Sequence, residues 1–285
     1  MNLALDHGSW RCATSRRSQL ADEQGREQPR YALSPDWEPE RQRLALLEQL
    51  FDEGARSKFI ALGLGPGARC LELGAGGGSI ARWLCQQVGE TGTVTATDLD
   101  TRWLDAMDEP NLSVLRHDLL VDDFPAGSFD FIYARAVLEH IADRARALPR
   151  IVEWLAPGGW LFLQDFSMFP VESSAHPPLV RAYHAFESLI GRTGTDYTWT
   201  RTFPAPLSAC GLDEVDASVE VPMMRGGSPA AEFIRQTVRA LAPRMVEAAL
   251  IEQDDLSAVE ALLTDSDLWD LGFALMSAWG QKSTG

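Results

Sequence analysis

The sequence predicts an α/β protein in which a doubly wound parallel β-sheet is covered by helices on both faces. Three observations lead to this prediction. Between Gly67 and Phe166, short apolar runs typical of buried strands alternate with segments whose apolar residues recur at helical spacing. A glycine-rich turn, "GAGGGS", separates the first of these strands from the first helix. The chain has 285 residues, 45% of them apolar, which is enough for one large domain with insertions.

The part of the chain before the sheet divides into two segments. Residues 1–30 are polar and show no period, so we expect a flexible N-terminal segment. Residues 31–66 carry apolar side chains at helical spacing and predict a helical lid. Ser34 suits the N-cap of that helix, and Pro35 suits its first turn.

Residues 67–285 form the predicted main domain. Its first strands are "RCLEL", "TVTATD", "LSVLRH", "FDFIYA" and "WLFLQDF", and its helices are "IARWLCQQV", a helix around "TRWLDAM" and "IADRARALPRIVEWL". The alternation stops after Phe166, and we expect cap elements at about 168–211 and 228–264, the second of them helical. "LDEVDASVEV" and "GFALMSAWGQ" predict two further strands, one before the second cap and one at the end of the chain.

The charge and composition exclude several classes of function. A net charge of −16 disfavours binding to nucleic acid or to an anionic membrane surface, because both need a basic face. No apolar run reaches the ~20 residues that span a bilayer, and the N-terminus lacks a secretory pattern. The four cysteines form no CxxC, so we expect neither a metal site nor a redox pair. We therefore expect a cytoplasmic protein.

The glycine turn and the acid before it point to a ligand. Gly74, Gly76 and Gly78 allow the backbone to turn sharply and to approach a bound molecule closely. A nicotinamide dinucleotide prefers GxGxxG, but Ser79 occupies the third glycine position, and the carboxylate of Glu72 suits a pyrophosphate poorly. That carboxylate suits an ammonium group, which S-adenosylmethionine carries together with a sulfonium and no phosphate.

Two further acids follow the next strands. Asp98 ends "TVTATD", where a carboxylate accepts the ribose hydroxyls of either cofactor. Asp118 follows "LSVLRH", where its side chain either meets the adenine edge or caps a turn. The three acids and the glycine turn are thus predicted to share one edge of the sheet.

"LELGAGGGS", "TATDLD", "RHDLLVDDFPAGSFDFIYARAVLEHI" and "LAPGGWLFLQDF" resemble the successive motifs of class I S-adenosylmethionine-dependent methyltransferases. The resemblance covers about residues 31–280, in order, and is closest to the branch that methylates small molecules. It implies a Rossmann-like sheet of seven strands whose last strand is antiparallel, a position that "GFALMSAWG" fits. The implied cofactor is S-adenosylmethionine.

The resemblance also implies roles for the matching residues. Glu72 and the three glycines would bind the methionine part of the cofactor, and Asp98 would bind its ribose. The remaining implied cofactor contacts are apolar or polar side chains around the adenine and the reacting face: Leu99, Asp118, Leu119 and Arg135. "RYALSPDWEPERQRL" resembles an N-terminal segment in which a tyrosine folds over the cofactor, which adds Tyr31 and Arg43.

Two titratable side chains are candidates for catalysis. His140, at the end of "AVLEH", and Asp165, at the end of the fifth strand, are both predicted at the rim where the methyl group is presented. Either one is suited to remove a proton from a hydroxyl acceptor. Both also have structural interpretations, His140 as part of a loop with Glu139 and Asp165 as a cap of the following segment.

The sequence favours methylation of a small, fairly hydrophobic molecule in natural-product tailoring, with oxygen ahead of nitrogen and carbon as the methylated atom. Three alternatives stay open at this stage: a nicotinamide-dependent oxidoreductase, an enzyme that uses the same cofactor for a non-methylating reaction such as cyclisation, and a non-catalytic binding protein. The predicted partner is a small-molecule acceptor, and a homodimer also stays open.

Overall fold

The computed structural model describes residues 39–285. The expected flexible segment 1–30 and the candidate Tyr31 lie outside this range, as do Ser34 and Pro35. The first described helix, α1 (Glu40–Ala61), runs through most of the predicted lid segment.

Within the described residues the chain folds into the following helices and strands. The helices are α1 (Glu40–Ala61), α2 (Ser79–Val88), α3 (Arg144–Trp154), α4 (Pro177–Gly191), α5 (Pro204–Ala209), α6 (Pro229–Glu247) and α7 (Gln253–Thr264). The strands are β1 (Arg69–Leu73), β2 (Thr93–Asp98), β3 (Leu112–Arg116), β4 (Phe129–Arg135), β5 (Leu155–Ser167), β6 (Leu212–Glu220), β7 (Met223–Arg225), β8 (Trp269–Leu271) and β9 (Ala274–Lys282).

Seven of these strands form one sheet in the order β3-β2-β1-β4-β5-β9-β6. β1 to β5 pair in parallel, whereas β9 lies antiparallel between β5 and β6. The sequence-based prediction of an α/β sheet whose last strand is antiparallel is therefore confirmed. The strand order reverses between β1 and β4, and this is the point at which open α/β sheets bind their ligands.

Helices cover both faces because successive side chains of a strand point to opposite sides. Cys70 of β1 packs toward α1 and α2, while its neighbour Leu71 packs toward α3. On the first face, the ring of Phe59 lies 4.9 Å from those of Phe131 and Tyr133 in edge-to-face contacts. Such contacts stabilise a buried layer beyond the area they cover.

The cap is more helical than the sequence indicated. We expected an irregular segment at 168–211, but it contains α4, which packs with α6 and α7 in one apolar cluster. Pro177 is tolerated at the first position of α4, and buried residues recur there at Leu179, Tyr183, Phe186 and Ile190. The aromatic and turn-forming residues on either side concealed this helical period.

The predicted helix around "TRWLDAM" is wrong, because this segment forms isolated turns. The Asp98 carboxylate accepts the backbone N–H of Asp100, and the Asp100 carboxylate accepts that of Arg102. Asp side chains that bond the backbone two residues on compete with helix formation. Local side-chain bonding therefore outweighed the short apolar pattern.

Among residues 39–285, no helix is both long and apolar enough to cross a membrane.

Candidate active site

The glycine turn brings the end of β1 against the loop that follows β4. Gly74, Gly76 and Gly78 have φ angles of 64°, 53° and 80°, a region in which other residues are strained. A Cβ on Gly74 would lie 2.4 Å from Cγ2 of Val137, so only glycine allows the two loops to approach this closely. The predicted close turn is therefore present.

Asp98 holds this turn in place from the end of β2. Its Oδ2 accepts the backbone N–H of Gly76 at 2.9 Å, and its Oδ1 accepts that of Asp100 at 3.1 Å. Burial raises the pKa of the Asp98 carboxyl, and these backbone N–H groups oppose the shift. The side chain also lines the large cavity above the sheet, which leaves it suited to a ligand hydroxyl.

Glu72 is a buried carboxylate that its surroundings do not satisfy. Its side chain lines the cavity, and Oε2 has no hydrogen-bond partner among the described residues. Burial raises its pKa to about 8, which Arg135 opposes and Asp52 and Glu48 reinforce. An unsatisfied buried carboxylate is costly unless a bound group completes it.

Helix α1 supplies acids that the sequence analysis did not identify. Asp52 accepts a hydrogen bond at 2.8 Å from Nη2 of Arg135 and one at 2.9 Å from Nη2 of Arg56. Glu48, one helical turn earlier, lines the cavity, and a Cβ on Gly77 would lie 2.3 Å from its Oε1. The i, i+4 spacing of Glu48 and Asp52 next to apolar residues was the available signal, because it places both on one helix face.

Arg135 lies at the end of β4, as predicted, and is almost fully buried. Asp52 pairs with one of its terminal nitrogens, while Nη1 has no hydrogen-bond partner among the described residues. Its positive charge is thus shared between Asp52 and the nearby Glu72. Glu72 and Arg135 together provide a hydrogen-bond acceptor and a hydrogen-bond donor for a zwitterionic ligand.

The cavity is also lined by the three residues predicted to lie around the adenine: Leu99, Asp118 and Leu119. Leu119 is buried, whereas Leu99 is 47% exposed. The Asp118 carboxylate accepts the N–H of Leu120 at 2.9 Å, which is the turn-capping interaction left open by the sequence. Trp103 also lines the cavity here, and the sequence analysis did not single it out.

A single cavity of about 580 Å³ joins these residues to an aromatic chamber beneath the cap. The chamber is lined by apolar side chains from β5, the cap and the loop before β9: Phe166, Met168, Phe186, Tyr197, Phe233 and Phe273. Arg43 lies at this end, where it makes two hydrogen bonds to Glu40 and its guanidinium lies 5.5 Å from the centre of the Phe233 ring. The structure thus places Arg43 beside the chamber.

Among the described residues, His140 lines the cavity, whereas Asp165 is buried and does not. Both Asp165 oxygens accept backbone N–H groups, from Val137 at 3.0 Å and from Glu139 at 2.8 Å, and burial raises its pKa to about 8. His140 lines the cavity, with Nδ1 at 3.1 Å from Oγ1 of Thr195. Burial lowers the pKa of His140 to about 3, and the charge of Arg43 adds to this shift.

The residues at this rim fit the cofactor that the sequence predicted. Glu72 presents an unsatisfied buried oxygen for an ammonium group, and the glycine turn leaves room for close approach. Asp98 and Leu119 line the same cavity, one offering a carboxylate and the other an apolar surface. Among residues 39–285, no group of three or more His, Cys, Asp or Glu side chains could hold a metal ion.

Comparison with known proteins agrees with this geometry. Residues 39–191 match the sequence profile of a family described as "Methyltransferase domain". "Methyltransferase str3" and "Methyltransferase str2" of Strobilurus tenacellus are 32% identical over 134 residues and 30% identical over 148 residues. These matches cover 46% and 51% of this chain, and 42% and 52% of those proteins, so the matched regions span about half of each relative.

Solved structures share the fold at low sequence identity. The [4+2]-cyclase SpnF is 18% identical to this chain, with a TM-score of 0.53. The alignment covers 82% of this chain and 81% of SpnF. A Haemonchus contortus phosphoethanolamine N-methyltransferase in complex with S-adenosylhomocysteine is 16% identical with a TM-score of 0.50, covering 85% and 52%. The chain belongs to the methyltransferase domain family and has the fold of the class I S-adenosylmethionine-dependent methyltransferases.

Proposed function

We propose that this protein transfers a methyl group from S-adenosylmethionine to a small, fairly hydrophobic molecule, with an oxygen as the favoured methylated atom. One observation carries the proposal. The cofactor-type residues at the glycine turn and the aromatic chamber under the cap line one continuous cavity. A molecule in the chamber would therefore meet a cofactor on the rim without passing through solvent.

The lining of the chamber supports a hydrophobic acceptor. Phe166 and Phe233 stack with ring centres 5.8 Å apart, and Phe186 and Tyr197 stack at 5.9 Å. Phe273 packs edge-on against Phe166. Aromatic walls of this kind favour apolar and aromatic ligands, while a few polar groups fix their orientation. Tailoring of a natural product is the biological role that such an acceptor suits.

S-adenosylmethionine, when bound, supplies a methyl group on a positively charged sulfonium, and the protein's share is mainly to align and to exclude water. Glu72, Arg135 and the glycine turn are suited to bind its methionine part. Asp98 is suited to hold the ribose. Helix α1 and the cap close the cavity on the acceptor side.

Asp165 is suited to position the loop after β4 and not to take a proton itself. Its two oxygens already accept the N–H groups of Val137 and Glu139, which fixes the backbone next to the glycine turn. His140 remains the predicted titratable side chain on the cavity wall.

The proposal is tested by calorimetry and by methyl transfer. The purified protein is expected to bind S-adenosylmethionine and S-adenosylhomocysteine but not NAD. With methyl-labelled S-adenosylmethionine, a panel of phenols, aromatic amines and aromatic carboxylic acids is expected to yield labelled product most readily among the phenols. Phe273→Asp places a charge in the chamber and is expected to abolish transfer while leaving cofactor binding within about threefold.

Two results would contradict the proposal. Binding of NAD in preference to S-adenosylmethionine would assign the site to a different cofactor. Conversion of an acceptor with no release of S-adenosylhomocysteine would show that the bound cofactor is not consumed, as expected for cyclisation.

A further inference from the structure

The loop after β4 presents one side chain whose role the sequence did not assign. Glu139 is 1% exposed, lines the cavity and belongs to the short 3-10 helix Leu138–His140. Its backbone N–H is held by Asp165, and its carbonyl accepts the N–H of Asp196 at 2.9 Å. Arg144 donates to the neighbouring carbonyl of Ile141 at 3.0 Å. The Glu139 carboxyl is thus held on a rigid platform.

A chain of hydrogen bonds determines which nitrogen of His140 carries a proton. Oγ1 of Thr193 donates to the carbonyl of Ile190 at 2.7 Å, which can only accept. Oγ1 of Thr195 lies 3.1 Å from that of Thr193 and must therefore donate to it. Because its proton is used there, Thr195 can only accept from Nδ1 of His140, 3.1 Å away. His140 is accordingly the tautomer protonated at Nδ1.

The other nitrogen of His140 faces the carboxyl of Glu139. Nε2 lies 3.3 Å from Oε1 of Glu139, while Oε2 of Glu139 accepts the backbone N–H of Phe166 at 2.6 Å. With its Nδ1 proton fixed, a neutral His140 has a lone pair at Nε2. Two acceptors that face each other need one proton between them, and Glu139 is the group that can supply it.

We propose that Glu139 is a neutral carboxylic acid that shares its proton with Nε2 of His140, and that this pair is the proton acceptor of the site. Glu139 is the member that meets the methyl acceptor, because its oxygens retain lone pairs beyond those used by Phe166 and His140. His140 is a positioning residue that does not touch the acceptor and that takes up the proton which Glu139 passes on.

The electrostatics of the site agree with a neutral pair. Burial raises the pKa of Glu139 well above its usual range, and the nearby Asp165 raises it further. Burial lowers the pKa of His140, and Arg43 of α1 adds to that shift. The charges of Arg43 and of Arg144 in α3 act in the opposite sense on Glu139, without overturning the direction.

The proton step balances and rests on the proposed function. With S-adenosylmethionine bound, the methyl carbon would exchange its bond to sulfur for a bond to the acceptor oxygen, and the electron pair of the broken bond would stay on sulfur. The O–H bond of the acceptor would break in the same step, and its proton would move to Oε2 of Glu139. The proton on Oε1 of Glu139 moves to Nε2 of His140. Glu139 stays neutral, and His140 becomes an imidazolium. After the product leaves, the extra proton returns through Glu139 to water that enters the cavity.

The state of the pair is measured without any methyl acceptor. In ¹⁵N-histidine NMR of the full-length protein with S-adenosylhomocysteine, His140 is expected to carry one proton, on Nδ1, throughout pH 6–8. His140→Asn identifies its signals. Thr193→Val frees the hydroxyl of Thr195 to donate to Nδ1 and is expected to shift the tautomer toward Nε2–H. Thr202→Val removes an exposed hydroxyl that donates to the carbonyl of Trp199; it is the control and is expected to leave the tautomer unchanged.

Infrared difference spectra locate the other proton. Wild type minus Glu139→Gln is expected to show a protonated-carboxyl band at pH 7, above the background that Glu72 and Asp165 give in both proteins. In the phenol assay, Glu139→Gln is expected to lower methyl transfer about 10²–10⁴-fold with unchanged affinity for S-adenosylhomocysteine.

Three results would overturn the proposal: an imidazolium His140 at pH 7, no carboxyl band that depends on Glu139, or phenol methylation by Glu139→Gln at the wild-type rate. Absence of methylation by the wild type would instead refute the proposed function, and the two spectroscopic measurements would still decide the state of the pair.

Discussion

Binding of S-adenosylhomocysteine is expected to release a proton from Glu72. This carboxyl is 4% exposed, its Oε2 has no partner among the described residues, and burial raises its pKa to about 8. A ligand ammonium beside it would favour the ionised form. Binding below pH 8 therefore requires the loss of the Glu72 proton.

The magnitude follows from proton linkage. At pH 6.5, a group with a pKa near 8 is ionised in roughly one molecule in 30, so affinity is lowered by about 30-fold, or about 2 kcal/mol, relative to the fully ionised site. Affinity is expected to rise roughly tenfold per pH unit between pH 6 and 7.5 and to level off above pH 8. About one proton is released per ligand at the lower end.

Calorimetry in two buffers of different ionisation enthalpy measures this release directly. Glu72→Gln is expected to bind more weakly at pH 8 and to lose the Glu72-dependent part of the proton release. Asp105→Asn, an exposed acid on the loop after β2, is the control and is expected to behave like wild type. Affinity that does not change with pH, together with wild-type binding by Glu72→Gln, would refute the reasoning.

The raised pKa of Glu72 also predicts how the stability of the protein depends on pH in the absence of added ligand. Since the pKa of Glu72 is raised in the folded protein, the folded state binds more protons than the unfolded state between about pH 4.5 and 8. The contribution of Glu72 to the free energy of unfolding therefore falls as pH rises through that window. Glu72→Gln is expected to melt at a higher temperature than wild type at pH 8, and the difference is expected to shrink toward pH 5.

Three further variants test other parts of the structure. Asp98→Ala is expected to weaken binding of S-adenosylhomocysteine by about 1.5–3 kcal/mol in calorimetry, and an unchanged affinity would remove Asp98 from the site. Gly78→Ala, where the added Cβ would lie 2.6 Å from a side-chain sulfur, is expected to lower the free energy of unfolding more than Gly63→Ala, which also has positive φ but no atom within 4 Å. Tyr133→Phe removes a buried 2.6 Å hydrogen bond and is expected to lower the free energy of unfolding by about 1–3 kcal/mol, measured by denaturant unfolding. Tyr183→Phe removes a buried hydroxyl that has no partner among the described residues and is expected to leave the free energy of unfolding unchanged.

The sheet, and the position at its edge of the residues predicted to bind the cofactor, could be predicted because their signals are local. A buried strand followed by glycines and a helix fixes where β1 ends, and the acids at the ends of the next strands come to the same edge by topology. Glu72, Asp98 and Arg135 are found at this edge for that reason. No long-range information was needed to place them.

The acids of α1 could not be placed in the same way. Asp52 meets Arg135 across 83 residues of sequence, and this contact depends on how α1 crosses the sheet. Spacing alone assigns Glu48 and Asp52 to a helix face but does not say which neighbour covers it. The helix around residues 101–107 failed for the opposite reason, since side-chain bonds from Asp98 and Asp100 replaced a weak local preference.

The roles of the two catalytic candidates also could not be predicted from the sequence. The sequence offered both His140 and Asp165 as titratable candidates on one edge of the sheet. Their hydrogen-bond partners in the folded protein distinguish the two residues. Asp165 accepts two backbone N–H groups, whereas His140 faces Glu139 and Thr195. Hydrogen-bond capacity, and not residue type, distinguishes a positioning group from one that can exchange a proton.

The two ends of the cavity differ in charge, and this difference has a physical consequence. The cofactor end holds several carboxyl groups around Arg135, among them Glu72 and Asp98, and suits a cationic ligand. At the chamber end, Glu139 and His140 are both driven toward their uncharged forms. An ion pair there would add a strongly hydrated surface to an aromatic pocket and would oppose entry of a hydrophobic acceptor. A neutral acid–imidazole pair keeps one transferable proton at the wall without that desolvation cost, which is why we expect acceptor affinity to fall when His140→Lys places a charge at this position.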